Sequence, residues 1–173
     1  MSFYHASVHI YQPGQIVSIN GYDGNATFDH QNRKSSQKEI NLLFDQNRPE
    51  ALACSRVKSI YVFDNMSDCR GYANTLHIPD IHIYEVDPLS VCGGFPMCLL
   101  DIASQNINNS ALVQKIISEY WQPTHSWNVK EYLTSEVIII KECHPYTIYD
   151  TNPYMEDRDL AKKWISRLSD EKK

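Results

Sequence analysis

Apolar and polar positions alternate along this chain with two periods. Near period two, Phe3, His5, Val8 and Ile10 predict a first strand that Gln12-Pro13-Gly14 ends, and residues 16–19 predict a second strand paired with it. Residues 58–63 and 81–86 predict further strands, the latter closed by Asp87-Pro88. In the stretch EYLTSEVIIIK, residues 131–141, the consecutive β-branched Val137, Ile138, Ile139 and Ile140 predict a strand covered on both faces. Glu131 stands at the mouth of that stretch, near a rigid edge. Residues 146–149 predict a last strand.

Helical spacing accounts for most of the rest. Ser36 with Glu39 forms a capping box ahead of Ile40, Leu42, Leu43 and Phe44, on a helix that runs out by Pro49. Ser67 caps a helix through about His77. Gly93-Gly94 predicts a mobile turn before the apolar residues 97–103. Ser110 caps a helix through Trp121, with Leu112, Val113, Ile116, Ile117, Tyr120 and Trp121 at helical spacing. Residues 20–32 and 122–128 read as loops. From about Met155, Leu160, Trp164, Ile165 and Leu168 share one face of a final helix, followed by a solvated tail at 169–173. Strands at both ends with helices inserted between them make an α+β pattern, not a regular βαβ alternation.

The chain has 173 residues, enough for one core and short for two, and neither a repeat nor a linker divides it. A single domain over 1–173 is expected. Hydrophobic residues make up 42% and charged ones 21%, the balance of a soluble globular protein. The net charge of −5 argues against a broad basic face for nucleic acid. MSFYHASVHIYQPG lacks the basic start and unbroken apolar core of a secretory signal, and no apolar run reaches the roughly 20 residues of a membrane helix. Five cysteines are an odd number without framework spacing, which predicts reduced thiols in a cytosol. No GxGxxG follows a strand and no GxxxxGK[ST] occurs, so a doubly wound nucleotide fold is unsupported.

Four segments carry a resemblance. FYHAS at 3–7, SRVKSIYVFDN at 55–65, IHIYEVDP at 81–88 and EYWQPTHSWNVKEYLTSEVIII at 119–140, in that order, resemble the ADP-ribosyltransferase superfamily. The pattern looks like a bacterial branch near the rifampicin ADP-ribosyltransferases and the DNA-modifying ADP-ribosyltransferase toxins. The resemblance implies a split β-sheet core with inserted and C-terminal helices, NAD as co-substrate and no metal. It also implies a mono-ADP-ribosyltransferase that cleaves the nicotinamide–ribose bond and passes ADP-ribose to a protein, nucleic acid or small molecule. Such a protein would work in a cytoplasm, its own or that of a cell it enters as a toxin or effector. The alternatives are an inactive binding protein with the same fold and an NAD glycohydrolase.

Carried over residue by residue, the resemblance implies that His5 hydrogen-bonds a ribose of NAD and Tyr61 stacks on the nicotinamide. Glu131 would accept a bond from the nicotinamide ribose and steady charge as the glycosidic bond breaks. Where relatives carry glycine and threonine after the histidine, this chain has Ala6-Ser7, and Ser7 still offers a hydroxyl. Arg56 is the candidate for the NAD phosphates. Glu136 and Asp87 are the other candidate acids. The residue types suit the roles: an aromatic face for a flat cation, an imidazole for sugar hydroxyls, and a carboxylate for an oxocarbenium-like state.

Taken singly, each has an ordinary structural role: His5 as a hydrogen-bonder, Tyr61 as one of 11 tyrosines in the core, Glu131 as a loop acid and Arg56 as a surface charge. Other constellations are weaker. Cys143-His144 with His125, or Cys92 with Cys98, could be drawn as a metal site, but no CxxC pair or HExxH supports either. Among Tyr120, Trp121 and Trp127, Trp127 is the exposed candidate for a substrate platform.

Overall fold

In the computed structural model the run of four β-branched residues alternates. It lies in β7 (Glu136–Cys143), where Val137 and Ile139 are fully buried while Ile138 and Ile140 are 39 and 46% exposed. Successive strand side chains point to opposite faces, so this strand is covered on one face and not on both as its composition predicts. The structure describes residues 1–19, 35–75, 80–143 and 152–170.

Around β7 a four-stranded antiparallel sheet forms from β1 (Phe3–Ser7), β4 (His82–Pro88) and β2 (Ile16–Ser18), in the order β1-β4-β7-β2. The expected pairing of residues 16–19 with the first strand does not occur: Val17 lies opposite Val137, and β4 takes the place beside β1. β4 ends at Asp87-Pro88 as expected, with both residues still paired to β7, opposite Ile138 and Val137.

A second, three-stranded antiparallel sheet has the order β3 (Ile60–Val62), β6 (Lys130–Thr134), β5 (Cys92–Pro96). Glu131 therefore sits in a central strand of its own, and the chain crosses to β7 at Ser135. The crossing is stitched by Thr134, whose hydroxyl donates to the Glu136 carbonyl at 2.9 Å. Gly93 and Gly94 form no mobile turn. They lie in β5, where the register shifts between Gly93 and Phe95 and both glycines take positive φ, 142° and 86°. Reciprocal backbone bonds between Tyr4 and Phe63, at 2.8 and 2.9 Å, join the two sheets.

Five helices are present among the described residues: α1 (Ser35–Gln46), α2 (Met66–Thr75), α3 (Cys98–Gln105), α4 (Ser110–Trp121) and α5 (Asn152–Asp170). Asn65, not Ser67, caps α2, accepting from the Asp68 amide at 2.7 Å. Asn109, not Ser110, caps α4, accepting from the Leu112 amide at 3.2 Å. Residues 56–58 form a 3-10 turn, which delays β3 to Ile60. The side chains of the expected capping box at Ser36, the loop at 20–32, His77, the strand at 146–149 and residues 171–173 lie outside the described residues. No helix among the described residues is long and apolar enough to cross a membrane.

The second sheet separates two apolar clusters. Ile60 and Val62 pack with Val137, Ile139, Tyr84 and Phe3 of the first sheet. Tyr61 and Leu133, on the opposite face, pack with Phe44 of α1, Leu99 of α3 and Ile116 of α4. Glu131 is two residues from Leu133 in β6 and so turns to the helical side. The last helix docks there too, with Leu160, Trp164, Ile165 and Leu168 against the helical cluster.

The expectation of reduced thiols is corrected in one place. Cys54 and Cys92, 38 residues apart in sequence, form a disulfide, leaving Cys69, Cys98 and Cys143 free. Cysteine count carries no information on such a pairing, because an odd total still permits one bridge.

Candidate functional site

The polar centre of the molecule is a buried guanidinium. Arg56 opens the 3-10 turn after α1, and Asp45 near the end of that helix holds the turn: its carboxylate accepts from the Arg56 amide at 2.5 Å and the Ser55 hydroxyl at 3.1 Å. The side chain then runs inward and is 2% exposed. Its Nε donates to Asn41 Oδ1 of α1 at 2.7 Å, and Nη1 donates to the Tyr120 hydroxyl of α4 at 2.5 Å. The same Nη1 forms an ion pair with Glu131, itself 1% exposed. Tyr120 donates in turn to Glu131 Oε1 at 2.7 Å.

Two aromatic faces enclose the cation. The guanidinium carbon stands 4.9 Å from the Tyr61 ring centroid and 5.3 Å from that of Tyr120. The Tyr61 hydroxyl donates to the Arg56 carbonyl at 2.7 Å, closing a ring of contacts between β3 and the turn before it. Burial acts to lower the Arg56 pKa, but Glu131 and the two phenols outweigh it and hold the guanidinium well above its ordinary range. Burial pushes the Tyr120 phenol up, with the Glu131 charge adding to it and the Arg56 charge opposing it, so it is a neutral donor.

His5 joins from the first sheet. Its Nδ1 lies 2.9 Å from the Tyr61 carbonyl, an acceptor, so this nitrogen carries the proton. The imidazole is fully buried and fixes β1 to β3. Ser7, 2% exposed, accepts from the His9 amide at 3.1 Å in the turn that follows β1. His5, Tyr61, Arg56 and Glu131 are thus linked in one continuous set of contacts, and all are at most 3% exposed. A ligand reaches Glu131 only if Arg56 or its neighbours move. Of the other acids, Asp87 is exposed on β4 and Glu136 is half-buried at the head of β7.

Asn41, Asp45 and Tyr120 belong to this centre and carry no sequence signature of it. Asn41 follows buried Ile40 on α1 and is itself 2% exposed, a buried polar residue whose partner, Arg56, only the folded chain reveals. Trp127 is no exposed platform: it is 4% exposed, and its Nε1 donates to Glu119 at 3.0 Å. Glu119 also accepts from the Thr124 amide and hydroxyl and the His125 amide, pinning residues 122–128 to α4. Burial pushes its carboxyl up, but those hydrogen bonds outweigh burial and hold it below the usual range. The described residues hold no cluster of three or more His, Cys, Asp and Glu suited to a metal ion, and Cys92 is committed to Cys54.

The molecule is thus an α+β protein of two antiparallel sheets with helices packed on both, α2 on β1 and β4 of the first, and with a buried cation–carboxylate pair between the second sheet and helices α1 and α4. No protein-family model and no curated protein matches the chain.

Proposed function

We propose that this protein is an NAD-dependent mono-ADP-ribosyltransferase, which breaks the nicotinamide–ribose bond and transfers ADP-ribose to an acceptor. The observation that carries the reading is the place of Arg56. Its planar cation lies over the Tyr61 ring and beside Glu131, the position the resemblance gives to the flat cationic nicotinamide and its ribose. The molecule at rest fills that place with its own guanidinium.

On this reading Arg56 swings outward to meet the NAD phosphates, and the nicotinamide ring enters between the Tyr61 and Tyr120 faces. Glu131 then loses its intramolecular cation and faces the ribose carbon where positive charge develops as nicotinamide leaves. Tyr120, a neutral donor on Glu131 Oε1, keeps the carboxylate oriented. His5 holds β1 against the Tyr61 strand through the Tyr61 carbonyl. Ser7 supplies a hydroxyl at the end of β1 for the dinucleotide.

Burial supports a second reading, a binding protein that keeps the fold without turnover, since the same contacts suffice as a folding element. Incubation with NAD separates the two. The first reading expects nicotinamide release from the wild type and its loss in Glu131→Gln with NAD binding retained. Turnover retained in that variant moves the acid to Asp87 or Glu136. NAD binding without nicotinamide release, in both the disulfide-bonded and the reduced protein, establishes the second reading. Labelled NAD added with cell lysate then identifies the acceptor class, and release without labelling marks a glycohydrolase.

A further inference from the structure

We propose that the Cys54–Cys92 disulfide is a thiol–disulfide exchange site, and that its reduction by a dithiol frees Arg56 from Glu131. The part concerning NAD access rests on the transferase reading above; the motion of Arg56 does not.

The bond has a particular position. Cys54 lies two residues before Arg56, just ahead of the 3-10 turn that Arg56 opens. Cys92 begins β5 and lies opposite Leu133 of β6, two residues from Glu131. Next to Cys92, β5 closes on β6 so tightly that a Cβ on Gly93 would stand 3.0 Å from the Glu131 carbonyl oxygen. The disulfide thus ties the turn bearing the cation to the strands bearing the anion.

Apart from the Tyr61 hydroxyl on the Arg56 carbonyl, the other anchors of that turn come from α1 and the short loop just after it. Asp45 holds the Arg56 amide and Ser55 hydroxyl, and Arg48 Nη1 donates to the Cys54 carbonyl at 2.9 Å. With the disulfide open, the turn stays with α1, and it is held to the sheet by the Arg56 side chain and by the bond from the Tyr61 hydroxyl to the Arg56 carbonyl. Asp45 and Arg48 are 17 and 29% exposed, so water competes at that hinge.

The two bonded cysteines are the less buried ones beside Cys69 and Cys98. Cys54 and Cys92 are each half-buried, whereas Cys69 and Cys98 are buried, and burial pushes both of those thiols up. A thiolate of the dithiol attacks one sulfur of the pair, breaking the S–S bond and forming a mixed disulfide while the other cysteine leaves as thiolate. The reductant's second thiol resolves the mixed disulfide. Two electrons pass to the protein, the dithiol becomes a disulfide, and Cys54 and Cys92 end as two thiols holding its two protons.

Hydrogen exchange of the full chain, read with and without dithiothreitol and in Cys54→Ser/Cys92→Ser, tests the latch. The expected result is at least a tenfold faster exchange at residues 54–58 in the reduced protein and in the double variant, with β4 and β7 amides unchanged. Unchanged exchange at 54–58 overturns the proposal. So does loss of protection throughout β4 and β7, which makes the bond a global staple. Nicotinamide release measured in parallel should rise at least tenfold on reduction. If residues 54–58 open and no nicotinamide appears in either state, the latch stands and the transferase reading falls.

Discussion

Replacing Glu131 by Gln leaves the Arg56 guanidinium inside the protein without its counter-charge, and the size of the penalty follows from the burial of the pair. The two side chains are 2 and 1% exposed, so water cannot supply what the carboxylate withdraws. Breaking a buried pair by removing one partner costs about 3–5 kcal/mol. Gln retains an oxygen that can accept from Tyr120, and Asn41 still accepts from Arg56 Nε, which places the expected loss near the low end, about 3 kcal/mol. In a chain of this length that lowers Tm by roughly 6–12 °C. Arg56→Met strands the carboxylate instead and should cost at least as much. The double variant Arg56→Met/Glu131→Gln removes both charges, so its loss should fall short of the sum of the singles by about 2 kcal/mol or more. Urea denaturation of the four proteins at pH 7, followed by far-UV circular dichroism, measures the cycle. Single losses below about 1 kcal/mol that simply add would refute the reasoning, because that is the behaviour of a solvated surface pair. A native stability of about 5–15 kcal/mol leaves Glu131→Gln folded, so lost nicotinamide release in that variant reports chemistry and not unfolding.

Gly93→Ala should destabilise by about 2–3 kcal/mol, since its Cβ would meet the Glu131 carbonyl oxygen at 3.0 Å and Phe95 and Tyr132 at 3.1 Å, at a φ of 142°. Gly94→Ala is the control, because its nearest contacts begin at 3.8 Å and backbone strain alone applies; equal losses in urea for the two variants would discount the close approach of β5. Burial, ahead of a lowering bond from Asn65 and the repulsion of Asp64 and Asp157, pushes the Asp68 carboxyl up from 3.8 to about 6. The folded protein then holds a proton that the unfolded chain has released, so this contribution to stability is full below about pH 4 and is lost as pH rises through about 6. Asp68→Asn should flatten that decline in a Tm series from pH 4 to 7.5, and an unaltered slope would remove Asp68 as its source.

What the sequence showed of the fold was what period alone determines. Residues 82–86 and 110–121 alternate or repeat cleanly and fold as expected. The exposure of Ile138 and Ile140 was hidden because four β-branched residues in a row leave no period to read. Pairing is a long-range property, so nothing near Val17 announced that its partner is Val137, 120 positions away. Gly93-Gly94 has the composition of a turn, yet its positive φ angles serve a bulge against β6. At the site, the resemblance supplied His5, Tyr61 and Glu131 as neighbours, and the structure links them. It supplied Arg56 as a phosphate ligand, whereas the guanidinium rests on Glu131. Ser55-Arg56-Val57-Lys58 looks like a charged surface turn, and the inward partners Asn41, Tyr120 and Glu131, none of them adjacent in sequence, draw the arginine inside.

A buried ion pair is a poor means of stabilising a protein, because well-packed apolar residues of similar volume often serve as well or better. Its presence between α1, α4 and β6 therefore calls for something that apolar packing does not provide. One such property is reversibility: a guanidinium can leave a carboxylate for water or phosphate oxygens and return, whereas a methionine in its place has no polar partner to leave for. The surroundings of Arg56 fit that property. The parts of its environment that any flat cation would use, the Tyr61 and Tyr120 faces and Glu131, are contributed by the sheet and α4. Of the bonds specific to Arg56 itself, those through Asn41 and Asp45 come from α1, and the Tyr61 hydroxyl adds one to its carbonyl from the sheet. On the proposed reading this division lets the turn withdraw with α1 while the cation site stays assembled for the nicotinamide, and the Cys54–Cys92 bond spans the boundary between the two groups.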